Sequence, residues 1–143
     1  MKVSAQIDCL IDISNSKTIE RLNRYWSYDH NHRFDGLSKG DEFTVYGMIF
    51  RDNAPWYYII DGFQMDYPSP YPSDLFNVVD PRLSRFWELA TVVESKESAF
   101  VSTELVFKEW AEDQLFYERL VEGYAQEVEK FKQYRALMDS EFQ

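Results

Sequence analysis

Apolar residues fill both alternating sets of positions along Glu42–Phe50: Phe43, Val45, Gly47 and Ile49 interleave with Thr44, Tyr46, Met48 and Phe50. Such a run predicts a strand covered on two faces. Arg51–Pro55 has the length of a hairpin loop, and Trp56–Ile60 returns as a second strand closed by Asp61 and Gly62. Lys2–Cys9 alternates more weakly, with Val3, Ala5, Ile7 and Cys9 on one face, and predicts a first strand. Ser14, Asn15 and Ser16 form a helix-start signal. Behind them, Ile19, Leu22, Tyr25 and Trp26 predict a short amphipathic helix from about Lys17 to Trp26. Ser27–Gly40 is polar and turn-rich.

Prolines 68, 70 and 72 exclude a regular central strand over Phe63–Ser73, because each removes a backbone donor. The segment is expected to be extended or polyproline-like, with Tyr67 and Tyr71 each opening a Tyr-Pro-Ser triplet. Leu75–Val79 predicts a short strand ended by Asp80 and Pro81, and Phe86–Val93 predicts another. Short strands joined by tight turns point to a small, curved antiparallel sheet of SH3-like or barrel-like form.

From Thr103 to Met138 the chain holds no proline and the period becomes helical: Trp110, Tyr117, Tyr124, Phe131 and Met138 recur every seven residues. Val121 and Val128 fill the seam between them, whereas Gln114 and Arg135 interrupt it. One helix of this length would extend roughly 50 Å at ~1.5 Å per residue, too long for so small a domain. Gly123 is therefore the predicted break. The expected architecture is a single α+β domain over 1–143, sheet-rich over 1–95 and helical over 103–139. Its first helical half packs on the sheet, and its second projects and is free to self-associate.

Composition adds a constraint on partners. The 143 residues are 45% hydrophobic and 17% aromatic, enough for a core without disulfides or metal. No apolar run approaches the ~20 residues of a membrane span. Asp8 and Asp12 interrupt the apolar N-terminus, which argues against a secretory signal. The single cysteine, Cys9, reads as a small buried hydrophobe, and the expected compartment is the cytoplasm. The net charge is −10; residues 94–143 hold 12 acids against 6 bases. That balance disfavours direct nucleic-acid binding and attachment to anionic membranes, and favours a basic partner.

Reaction chemistry is sparse. His30 and His32, between Asp29 and Asp35, are the nearest approach to a metal site, but a third and fourth ligand are not identifiable. No serine elbow, Cys/His signature or glycine-rich phosphate loop is present, and no cofactor is expected. Binding chemistry is better represented. Tyr67 and Tyr71 offer apolar faces with polar tips, the neighbouring prolines pre-order them, and Asp66 and Asp74 border them. Glu109, Glu112 and Asp113 on the acid-rich helical region complete the expected partner-binding surface.

The runs Leu37–Gly40, Phe43–Gly47, Trp56–Ile60, Leu75–Asp80 and Leu83–Trp87 resemble small bacterial immunity proteins of polymorphic or contact-dependent toxin systems. The resemblance covers about 50 residues. It implies a cytoplasmic, non-enzymatic protein that occludes a cognate basic toxin, such as a nuclease, by direct contact. Two other readings follow from the residues themselves: a structural or regulatory module homodimerising through the C-terminal seam, and a metal-binding enzyme using His30 and His32.

Overall fold

Trp56 and Tyr58 enter one hydrophobic core and Tyr57 and Ile59 enter another, although the four are consecutive in one strand. This period-two sorting makes their strand part of a middle layer, with apolar packing on both sides. The computed structural model describes residues 1–24, 33–62, 66–93 and 101–143. Along these run β1 (Lys2–Ala5), α1 (Ser16–Leu22), β2 (Glu42–Thr44), β3 (Gly47–Arg51), β4 (Ala54–Ile59), β5 (Ser69–Pro72) and β6 (Phe76–Asp80). They continue with β7 (Trp87–Val93), β8 (Val101–Phe107), α2 (Lys108–Glu112), α3 (Phe116–Val121) and α4 (Ala125–Glu141).

Two antiparallel sheets form, ordered β2-β1-β6 and β5-β4-β3-β8-β7. The small sheet and α1 pack through Val3, Ala5, Leu22 and Phe76 onto Met48, Tyr57 and Ile59 of the large sheet. On the other face Ile49, Trp56, Tyr58 and Val106 meet Trp110, Phe116, Leu120, Phe131 and Met138 from α2, α3 and α4. The expected α+β class holds. The single barrel-like sheet does not: there are two sheets, and they are not closed into a barrel.

The division arises within the predicted Glu42–Phe50 strand. Thr44 pairs with Lys2 in the small sheet, and Gly47 pairs with Tyr58 in the large one. Between them Val45 N–H donates to Met1 O at 3.0 Å and Tyr46 N–H to Tyr58 O at 2.8 Å, so the chain changes sheets across two buried residues. Gly47 permits the crossing: a Cβ there would lie 2.9 Å from Val106 Cγ1 and 3.3 Å from Leu105 O. Val106 is fully buried and has little room to retreat. Gly47→Ala is expected to cost about 1–3 kcal/mol through overpacking, read as a lower urea midpoint with an unchanged slope.

The β3–β4 hairpin is tighter than predicted. Asp52 (φ 49°) and Asn53 (φ 60°) form a two-residue turn with both central residues left-handed, the twist-matched type I′ geometry. Pro70 and Pro72 sit in β5 at the border of the large sheet, where a missing donor breaks no inner ladder. β1 ends at Ala5, and Cys9 is buried in an isolated bridge with Arg33. Asn15 caps α1, accepting from Lys17 N–H at 3.0 Å and Thr18 N–H at 3.2 Å. Tyr25, Trp26, His30 and His32 lie outside the described residues.

The C-terminal region needs a larger correction. Residues 103–107 are strand, not helix, because Thr103–Leu105 pair with β3 and the whole of β8 pairs with β7. Helix begins at Lys108 and is interrupted twice. At the first break Asp113 Oδ1 accepts from Leu115 N–H at 3.0 Å. At the second, the predicted Gly123 adopts φ +80°, with Gly123 N–H on Leu120 O and Tyr124 N–H on Arg119 O, a Schellman termination. The seven-residue seam is therefore distributed over three helices. Trp110, Phe131 and Met138 converge on one core, while Tyr124 is 53% exposed. α4 lies against the large sheet through Phe131 and Met138 rather than projecting. No helix among the described residues is long and apolar enough to cross a membrane.

Candidate partner-binding groove

The helix-side face of the large sheet carries two buried polar residues among its apolar ones. Period two along β8 places Ser102, Glu104 and Val106 on this face, and all three are buried. Glu104 pairs across the sheet with Ile49 on β3 and Ala90 on β7. Its carboxylate consequently stands between two apolar neighbours, and the residue is only 6% exposed. Above this row, between the sheet and α2–α3, opens a groove of about 1060 Å³, at the upper end of ligand-site volumes.

Aromatic side chains build one wall. Tyr58 donates from its hydroxyl to Glu104 Oε1 at 3.1 Å, and its ring meets Trp110 at 4.8 Å and Tyr117 at 5.2 Å. Trp110 and Tyr117 stack nearly parallel, 8° apart at 5.1 Å. The Tyr117 hydroxyl donates to Pro68 O at 2.9 Å and thereby ties the wall to the proline segment. Burial, and then the Glu104 carboxylate, hold the Tyr58 phenol well above its usual range. Burial likewise raises Tyr117, with Tyr67 the next contributor. Both phenols therefore stay protonated near neutrality, and Tyr58 serves Glu104 as a fixed donor.

The ionic lining is predominantly anionic: Asp52, Glu104, Asp113 and Glu118 against Arg24 and Arg51. A sheltered carboxylate beside stacked aromatic faces suits a guanidinium or ammonium, which gains both a charge-assisted hydrogen bond and ring contact. Among the described residues no group of three His, Cys, Asp or Glu side chains has the arrangement needed to hold a metal ion.

The residues expected to bind a partner are dispersed. Asp113 alone lines the groove, on its α2–α3 rim, and bonds Arg119, which also takes Glu127. Glu109 pairs with Lys130 at 3.3 Å, and Glu112 lies 3.9 Å from Lys108 on the same helix. Tyr71 donates to Asp61 and packs edge-on against Phe34 and Phe76, and Asp74 is paired with Arg21. Those two side chains thus serve the small-sheet side of the molecule. Tyr67 packs on the helix-side core near Tyr117, and Asp66 is exposed. The proline segment is therefore an edge strand whose tyrosines serve the two cores.

Glu104 was not singled out by sequence reasoning, which read Tyr58 within the second strand and Tyr117 within the seven-residue seam. The one available signal was the alternation Ser102, Glu104, Val106 within a stretch whose longer period reads as helix. A glutamate at an inward position is indistinguishable from a solvated one until its strand has neighbours. No protein-family model matches the chain, and no curated protein or solved structure matches it.

Proposed function

We propose that this protein neutralises a cognate basic toxin by binding it, with the groove between the large sheet and α2–α3 receiving a cationic side chain. The observation that carries the reading is Glu104: a buried carboxylate paired across the sheet with Ile49 and Ala90, bonded by Tyr58, and lining one groove with Arg51, Trp110 and Tyr117. A carboxylate on the groove wall offers a partner's guanidinium or ammonium a charge-assisted hydrogen bond, beside aromatic rings that favour a cation. The acidic surface supports it. Glu118 on α3 and Glu122 at its C-cap are exposed and make no ion pair among the described residues, so they remain able to steer a basic partner. The immunity-protein resemblance of Leu37–Trp87 supplies the biological setting.

The test is co-expression with the toxin-domain product of the adjacent gene. Rescue of growth and a co-purifying 1:1 complex are expected, and absence of both refutes the reading. Glu104→Gln retains side-chain volume and the Tyr58 hydrogen bond while removing the charge. It is expected to weaken the complex about tenfold or more, the effect of losing a charge-assisted bond, as read by titration calorimetry.

A further inference from the structure

We propose that the outer edge of β7 is a strand-addition site, taking an extended segment of the partner in which basic and apolar residues alternate. This rests on the binding reading above and names a second contact for it. The two sheets have four edge strands, β2, β6, β5 and β7. β5 carries Pro70 and Pro72, β2 is three residues long, and β6 runs directly into Pro81. Short length and proline are recognised ways of blunting an edge against pairing. β7 has neither: it is seven residues long, Trp87–Val93, with no proline, glycine or lysine. Among the described residues no strand lies beyond it.

The polarity of its backbone follows from one bond. Trp87 N–H turns back to Ser84 O at 3.2 Å, so that amide is directed away from β8. With a two-residue repeat, Leu89 and Thr91 direct their backbone groups the same way. Leu89 is 70% exposed, the highest value among the exposed large hydrophobic residues of the described chain. An unpaired backbone row beside an exposed leucine is what a pairing strand covers.

Charge selects the occupant. Glu88 is exposed on β7, and Glu88, Glu109 and Glu112 all act on the Tyr134 hydroxyl, so two acids of α2 stand on the helix side of the same edge. A second copy pairing through β7 about a two-fold axis would bring two such groups onto one face of a continuous sheet. Each copy also carries a net charge of −10. A basic segment instead places its cations beside Glu88 and Glu112 and an apolar residue beside Leu89, as cross-strand neighbours do.

Amide exchange on the full-length protein, free and in its purified complex with the adjacent gene's toxin domain, tests this. In the complex the Leu89 and Thr91 amides are expected to slow at least tenfold, and Thr91→Pro is expected to weaken binding at least tenfold. A complex that forms with both amides exchanging as in the free protein overturns strand addition and leaves the groove reading standing. Failure of the wild-type protein to bind removes both readings. Protection of these amides in the free protein, together with a dimer mass, overturns the proposal in favour of self-pairing. Because the exchange measurement uses the wild-type chain, it decides even if Thr91→Pro fails to fold.

Discussion

Raising the pH from 10 to 12 is expected to unfold this protein cooperatively. Tyr46, Tyr58, Tyr71 and Tyr117 all have phenols held above the ordinary range, with burial the largest cause in each. Tyr46 additionally donates to Asp139 Oδ1 at 2.8 Å, Tyr58 to Glu104, and Tyr71 to Asp61. In the unfolded chain these groups ionise near pH 10, whereas the folded chain keeps them protonated. Their contribution is therefore complete below pH 10 and is lost as the pH climbs toward the folded values. Each such phenol removes about 1.4 kcal/mol per pH unit over that interval. Tyr46, 5% exposed, removes about 2–3 kcal/mol between pH 10 and 12, and Tyr58, Tyr71 and Tyr117 add to the loss in the same direction. Such a loss is a large fraction of the stability of many domains. Phenolate absorbance and far-ultraviolet circular dichroism should change together in one steep transition. A gradual phenolate titration near pH 10 with the fold intact would contradict this account.

Phe131→Ala is expected to cost about 3–5 kcal/mol, the range for emptying a buried aromatic site. Phe131 is 1% exposed, meets Tyr46 edge-on at 5.6 Å, and joins α4 to the large sheet. Tyr124→Ala, seven residues earlier and exposed, should stay within about 0.5 kcal/mol. Urea unfolding at two protein concentrations checks both the difference and its origin. A core contact within one chain gives a loss independent of concentration. A contact between copies would make the loss concentration-dependent and would return the seven-residue seam to an intermolecular role.

That seam shows how periodicity can be right locally and misleading globally. Trp110, Phe131 and Met138 are all buried, as their spacing suggests. The heptad reading expected two axes meeting at Gly123, and the Asp113–Leu115 turn adds a second break that makes three. Gly123 was legible because a left-handed residue favours glycine on local grounds. The turn at Asp113 was not, since an aspartate in an acidic helical stretch carries no comparable signal. The same limit hid β8: a mixed run such as Thr103–Phe107 satisfies both periods, and pairing with β3 and β7 decided between them.

The sequence by itself determined the local features: the β3–β4 hairpin, the helix start within Ser14–Ser16, the break at Gly123, the extended proline segment and the two-sided burial of the central strands. Each follows from backbone preferences or from a short-range pattern. Tertiary structure decided the change of sheet at Val45 and Tyr46, the separation of two cores, and the placing of Glu104 against Tyr58 in a groove shared with Trp110 and Tyr117. It also drew Tyr71 and Asp74 into contacts with Asp61 and Arg21. These depend on residues distant in the chain competing for the same neighbours. A carboxylate's environment is set by whichever surfaces close around it, which is why the acids legible as charge became legible as a site only in the folded chain.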